Sequence, residues 1–218
     1  MWKRWKRERR ARSEMVEICR RLHHQGLIPG GDGNVSIRLS SDEILITPSG
    51  VNKGYLDHRD LVLIRPDGKP FHKESALPSS EKLLHLAAYE TRQDISAVLH
   101  AHPPTVVALS IMGLNPAMPL MPESVVSLGN VAIAPYAKPG GTELPDSIRP
   151  FLPSSHIIIL KRHGCVILGK TLTECYNAME RLEHAAKVVA TVHQLGLGTP
   201  IPFSAKEIEE LVSIRAPQ

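Results

Sequence analysis

No apolar run in these 218 residues approaches the roughly 20 needed to cross a bilayer, so a spanning helix is excluded. Cysteine is scarce. Its three copies, Cys19, Cys165 and Cys175, are odd in number and far apart. That argues against a disulfide framework and for a reducing, cytoplasmic setting. They also lack the paired spacing of a zinc–cysteine site. There is no internal repeat, and no apolar stretch follows the basic N-terminus, so a secretory signal is not expected. What is present is ordinary: 42% hydrophobic and 22% charged residues exclude wholesale disorder, and the length suits one large domain.

The net charge of +4 is unevenly placed. Residues 1–12 carry seven Lys/Arg and one acid, which leaves 19 basic and 21 acidic groups in the other 206 residues. The chain therefore divides into a basic N-terminal extension, 1–12, and a nearly neutral domain, 13–218. The extension reads as a solvated helix start or a frayed end, dispensable for activity because apolar periodicity begins only at Met15. Attraction to nucleic acid or a membrane is the other reading of such a charge run. Trp2 and Trp5 alone support neither, so neither is an expected partner.

Met15, Ile18, Cys19 and Leu22 fall at i, i+3, i+4 and i+7 and predict a helix over 13–25, with Ser13 as N-cap. A glycine-rich turn over 26–33 leads to strands at 34–39, 43–47 and 61–65. Pro78-Ser79-Ser80 opens a helix over 80–92. A strand over 95–100 stops at Pro103-Pro104, a short helix covers 105–112, and the proline-rich stretch 116–122 reads as irregular. Strands follow at 131–135, 156–160 and 165–168. The capping box Thr171–Glu174 starts a long helix over 172–195, which ends before Gly196. A short helix over 205–214 closes the pattern. These elements predict an α/β fold with a central, mostly antiparallel sheet and helices on both faces.

His100-Ala101-His102 is the first chemically informative feature. Alternate residues of a strand point to one face, so these imidazoles can converge on one metal or simply be two partly buried histidines. His163, at the end of the apolar run Ile157–Leu160, favours the metal, since three imidazoles plus an open position are the arrangement of a catalytic zinc. Ser79 and Ser80 at a helix start are either caps or part of an anion site made from free N–H groups and the helix dipole. Glu81 is then a first-turn acid or a functional carboxylate. Gly31-Asp32-Gly33-Asn34 and Thr47-Pro48-Ser49-Gly50 are glycine turns able to bring backbone N–H groups to an oxyanion.

In their order and spacing these features resemble the class II aldolase/adducin family, and within it the fuculose-1-phosphate aldolase type. The likeness runs through Gly33-Asn34-Val35-Ser36, Ile46–Gly50, Ser79-Ser80-Glu81, His85, Ala97–His102 and Arg162-His163-Gly164, and ends in Leu182-Glu183 and Ala185-Ala186-Lys187. It implies a three-layer α/β/α sandwich and a divalent metal held by His100, His102 and His163. That metal is usually zinc, with Mn²⁺ or Co²⁺ as alternatives. It also implies Glu81 as acid/base, Asn34, Ser49, Gly50, Ser79 and Ser80 as holders of a sugar phosphate, and a homotetramer with sites between subunits. Neutral imidazole ligands leave the metal its full charge, which suits stabilisation of an enediolate. Desolvation would raise the pKa of Glu81 towards neutrality, while the metal pulls it down. No Lys or Arg lies within the phosphate motifs, the nearest being Lys82, Lys53 and Arg38, so neutral donors are expected to carry that charge.

The sequence departs from the aldolase pattern where the family has a tyrosine. Residues 117–123 contain none, and the last tyrosine is Tyr176. Tyr136 is a substitute or a packing residue, and Glu123 is a further candidate acid. The expected reaction is cleavage of a ketose 1-phosphate to dihydroxyacetone phosphate and an aldehyde. The alternatives are a dehydratase of the methylthioribulose-phosphate type, an epimerase or a decarboxylase. A non-catalytic, adducin-like module has no need of three histidines and Glu81. His85, four residues after Glu81 on one helix face, is placed to support it; the remaining histidines read as surface or turn residues.

Overall fold

Strands that are apolar at every position, such as Ile44-Leu45-Ile46 and Ile157–Leu160, must be covered on both faces. They are covered in the computed structural model of the chain, which describes residues 2–72 and 76–214. Seven strands form one sheet: β1 Asn34–Arg38, β2 Ile44–Ile46, β3 Val62–Ile64, β4 Ala97–Ala101, β5 Val131–Ala134, β6 Ile157–Leu160 and β7 Gly164–Gly169. Their order is β3-β2-β1-β4-β7-β6-β5, and only the pair β5–β6 is parallel. The expected mostly antiparallel sheet is present.

Alternate strand residues divide the core into two layers. Leu45, Leu63, Leu99, Ile159 and Ile167 pack with α1 (Trp2–His24), α3 (Pro104–Met112) and α6 (Leu172–Leu195). Ile46, Ile64, Val98, Ile158 and Val166 pack with α2 (Lys82–Thr91) and α5 (Glu143–Ile148). Helices therefore cover both faces, giving the three-layer sandwich. α6 has the capping box read from Thr171–Glu174 and ends at Gly196 in the left-handed conformation. No helix among the described residues is long and apolar enough to cross a membrane.

Four local expectations are corrected. The first helix begins at Trp2 rather than residue 13, and Ser13 lies inside it with its hydroxyl on the Arg9 carbonyl. Ala11 is buried, and Arg12 Nη1 donates to the carbonyls of His58 and Leu61 at 2.7 and 2.9 Å, so packing against the sheet begins before Met15. Nearer the N-terminus Arg4 pairs with Glu43, while Trp2 and Trp5 stack with Lys6 and Arg9 of the same helix. The second helix begins at Lys82, with Glu81 rather than Ser79 in the cap position. The stretch read as irregular leads into a further helix, α4 (Pro122–Leu128), with its proline in the first turn, where a missing N–H costs nothing. The last correction is α5, which the sequence pattern missed altogether. A final helix, α7 (Ala205–Ser213), has a capping box of its own from Ser204 and Glu207.

Candidate active site

The histidine pair sits where β4 emerges from the sheet. His100 is the cross-strand partner of Asn34 on β1 and of Val166 on β7. His102 lies two residues on, and its backbone N–H donates to the Leu27 carbonyl at 2.9 Å. Two glycines let the neighbouring chain press against this end of the strand. A Cβ on Gly33, whose φ is +65°, would lie 2.9 Å from the His100 carbonyl oxygen. A Cβ on Gly164 would lie 2.3 Å from the Ala101 carbonyl oxygen and 2.8 Å from the His102 ring. His163 reaches the same place from the tight β6–β7 hairpin. There Arg162 takes the left-handed conformation at φ 62°, with its N–H donating to Ser110 Oγ at 3.0 Å. Helix α3 starts just after His102. Its first N–H groups, at Thr105 and Val106, donate to the buried carboxylate of Glu183 on α6.

The three imidazoles form a triangle with ring centroids 4.8–4.9 Å apart. His100 Nδ1 lies 2.9 Å from the Cys165 carbonyl, so it must donate, and its Nε2 carries a free lone pair. That Nε2 is 3.0 Å from His102 Nε2. Glu81 closes on the same point, with Oε2 3.3 Å from His100 Nε2 and Oε1 3.5 Å from His163 Nε2. One proton cannot satisfy two facing imidazole nitrogens, a third imidazole and a carboxylate. Burial, aided by the crowding of the three imidazoles, pushes His102 and His163 down to about 4, so both are neutral donors at pH 7. His163 Nδ1 is buried with no partner among the described residues. Three ligand atoms within 4.8 Å of one another, with this chemistry, fit a divalent cation.

Glu81 is held from behind. Asn34 Nδ2 donates to its Oε2 at 2.8 Å, and Asn34 Oδ1 accepts from His85 Nε2 at 2.5 Å. Burial alone would raise the pKa of Glu81, but His100, Asn34 and His163 together hold it below the usual carboxylate range. His85 is fully buried and pushed down to about 3 by that burial, so it is neutral.

Above the imidazoles lies a cavity of about 430 Å³. The two serine turns meet along one wall: Ser49 N–H donates to the Leu77 carbonyl at 2.9 Å and Ser79 N–H to the Thr47 carbonyl at 3.1 Å. Ser49, Gly50, Ser79 and Ser80 therefore share one surface, and Asn34 also lines the cavity, with its amide bonded to Glu81 and His85. The expected absence of a cation is also corrected. Lys53 lines this cavity, is only 2% exposed, and donates to the Gly31 carbonyl at 2.6 Å. Among the described residues no carboxylate lies within ion-pair distance of its ammonium, and burial lowers its pKa. Nothing in its local sequence marks it, because a turn at 53–55 packed on α1 carries it inward. Asp32, with Oδ2 3.5 Å from His102 Nδ1, was visible only as part of a glycine turn. Glu123 is not in the cavity but in the first turn of α4. Tyr136 neither lines the cavity nor packs, being 61% exposed.

The chain belongs to the class II aldolase/adducin family: residues 13–190 match the family described as Class II Aldolase and Adducin N-terminal domain. It is 34% identical to a 3-oxo-tetronate 4-phosphate decarboxylase of Escherichia coli K12, over 94% of this chain and 97% of that protein. It is 33% identical to an L-fuculose phosphate aldolase of Methanocaldococcus jannaschii, over 81% of this chain and 94% of that one. Among solved structures, YgbL of Escherichia coli, described as a putative aldolase/epimerase/decarboxylase, superposes with a TM-score of 0.85 at 32% identity, covering 94% of this chain and 99% of that one.

Each imidazole supplies one donor, so His102→Ala should remove most of any divalent metal the wild type binds while the fold persists, because Leu99 and Ala101 keep the β4 core contacts. Elemental analysis beside far-ultraviolet circular dichroism checks this. Full metal occupancy in the variant would contradict the assignment.

Proposed function

We propose that this chain is a carbon–carbon lyase that releases dihydroxyacetone phosphate from a phosphorylated hydroxy-ketone acid, losing carbon dioxide. The observation that carries the reading is the half-buried carboxylate of Glu81, held against three imidazoles in a cavity whose far wall offers anion donors. A divalent cation on His100, His102 and His163 would supply electrostatic stabilisation of the oxyanion that develops on the ketone. Zinc is expected, with manganese or cobalt as alternatives.

The chain's own residues do the rest. Ser49, Ser79, Ser80 and the backbone at Gly50 donate to the phosphate, and the ammonium of Lys53 offsets its charge. Asn34 serves this reading as the holder of Glu81. The bond that breaks joins the carboxylate carbon to the carbon beside the ketone. Its electron pair moves through that carbon onto the ketone oxygen, giving an enediol(ate), and carbon dioxide leaves. Glu81 then passes a proton, drawn from solvent, to the carbon that lost the carboxylate. A 3-oxo-tetronate 4-phosphate consumes one proton in this way and yields dihydroxyacetone phosphate.

Aldehyde release is the second reading, supported by the likeness to L-fuculose phosphate aldolases. It leaves the same three-carbon product, but the departing hydroxyl must lose a proton to a second base. None of the four tyrosines lines the cavity, which leaves Asp32, 57% exposed at its mouth, for that task. Carbon dioxide needs no such group, and this favours decarboxylation. Three free, buried cysteines support a cytoplasmic setting, and exposed Ile111, Met112, Leu197 and Ile201 support assembly into the expected homotetramer.

The zinc-loaded chain should release dihydroxyacetone phosphate and carbon dioxide from 3-oxo-tetronate 4-phosphate, measured by NADH oxidation as a coupled glycerol-3-phosphate dehydrogenase reduces the dihydroxyacetone phosphate. Release only from L-fuculose 1-phosphate, with an aldehyde, would select the second reading. Release from neither would overturn the lyase reading.

Lys53→Met should raise KM for the phosphorylated substrate by about tenfold or more, the loss of one charged hydrogen bond of about 1.5–3 kcal/mol. An unchanged KM would remove Lys53 from the phosphate wall.

A further inference from the structure

Strand β1 and helix α2 face each other across a polar seam inside an otherwise apolar layer. Asn34, Ser36 and Arg38 point from β1, repeating about every 6.8 Å. Glu81, His85 and Tyr89 lie four residues apart at and along α2, repeating about every 6 Å. The two repeats nearly match, so the side chains interleave. Asn34 Nδ2 donates to Glu81 Oε2 at 2.8 Å, His85 Nε2 to Asn34 Oδ1 at 2.5 Å, and Ser36 Oγ to His85 Nδ1 at 2.7 Å. Tyr89 Oη then donates to Ser36 Oγ at 2.8 Å. At the far end Arg38 Nη1 donates to the Tyr89 carbonyl at 3.0 Å, with its guanidinium 5.0 Å from the Tyr89 ring centre.

The chemistry permits one direction through this chain. An amide oxygen only accepts, so the His85 proton must sit on Nε2. Nδ1 must then accept, so the Ser36 hydroxyl donates to it and takes its own hydrogen bond from Tyr89. Turning the Asn34 amide over would set its oxygen against the Glu81 carboxylate and its NH₂ against the Nε2 proton. His85 thus fixes which way Asn34 faces, and Asn34 fixes the carboxylate. Leu84, Ala88 and Val98 form the buried surroundings, where an apolar side chain would pack as well as an imidazole.

We propose that His85 is a positioning residue: acting through Asn34, it holds the Glu81 carboxylate on the imidazole triangle, with Ser36 and Tyr89 setting its tautomer. This rests on the reading of Glu81 as the proton-transfer group.

The test is a cycle of His85→Leu and Glu81→Gln, singly and together, in the zinc-loaded full chain. Turnover, KM, zinc content and melting temperature are read for each variant. His85→Leu should lower kcat by about 10–100-fold, the range for groups that orient a reacting side chain, with KM and zinc content unchanged. His85→Gln, which can donate and accept along the same line, should recover most of the loss. In the Glu81→Gln background His85→Leu should cost nothing further, because the carboxylate it positions is gone. If His85→Leu folds poorly, Ser36→Ala, which deletes one hydroxyl, replaces it in the cycle with a smaller expected loss of about 2–10-fold. Full activity of the His85 or Ser36 variant, or the same loss in both Glu81 backgrounds, would overturn the proposal and leave the role of Glu81 standing. Full activity of Glu81→Gln alone would overturn the role of Glu81 and the proposal with it.

Discussion

Imidazole nitrogens do not tolerate facing lone pairs at close range in a dry setting, and the rest of this structure is arranged around a place where they meet. His100 gives its Nδ1 proton to the Cys165 carbonyl, which commits its Nε2 to the interior. His102 turns its own Nε2 to within 3.0 Å, and His163 adds a third ring that burial keeps neutral. A carboxylate completes the group. Such a cluster is costly without a cation and is a strong donor set with one.

Much of the fold reads as support for that cluster. The sheet is covered on both faces, so β4 is buried along its length, and the histidines are placed where it leaves the ladder. Gly33 and Gly164 bring chain against the strand end at distances no side chain would permit. Glu183 on α6 takes the first N–H groups of α3, which ties the segment after His102 to the longest helix. Arg162 adopts a conformation that costs a non-glycine residue about 1–2 kcal/mol, in the turn that delivers His163. The strain lies beside the site and is met by the hydrogen bond that the Arg162 N–H donates to Ser110 Oγ.

The sequence was most informative where local geometry and chemistry coincide. Two histidines at i and i+2 on a strand, a third at a strand end, and Glu81 with His85 at i+4 are all legible in the sequence. The alternation of apolar strands predicted a covered sheet. What could not be read depended on distant parts of the chain. Lys53 enters the cavity because its turn packs on His23 of α1, and no local pattern encodes that. Asn34 lines the cavity as the phosphate reading expects, and its bonds to Glu81 and His85 are contacts that only the helix–strand register brings to it. The start of α1 is not legible because residues 2–12 have little apolar periodicity. Arg12 reaching the carbonyls of His58 and Leu61, with Ala11 buried, shows that part docked on the sheet. Prolines at 116, 119 and 122 suggested irregularity, although the last one starts a helix.

The central claim is that Glu81 moves a proton to and from the carbon beside a ketone, whatever group leaves first. Both candidate reactions pass through the enediol of dihydroxyacetone phosphate, so that product alone is a sufficient probe. In deuterium oxide, the zinc-loaded chain should exchange one hydrogen on the hydroxymethyl carbon of dihydroxyacetone phosphate, seen by proton magnetic resonance without a second substrate. Glu81→Gln should slow this by about 10²–10⁴-fold at unchanged zinc content. No exchange by the wild type, or equal exchange by the variant, would contradict the account.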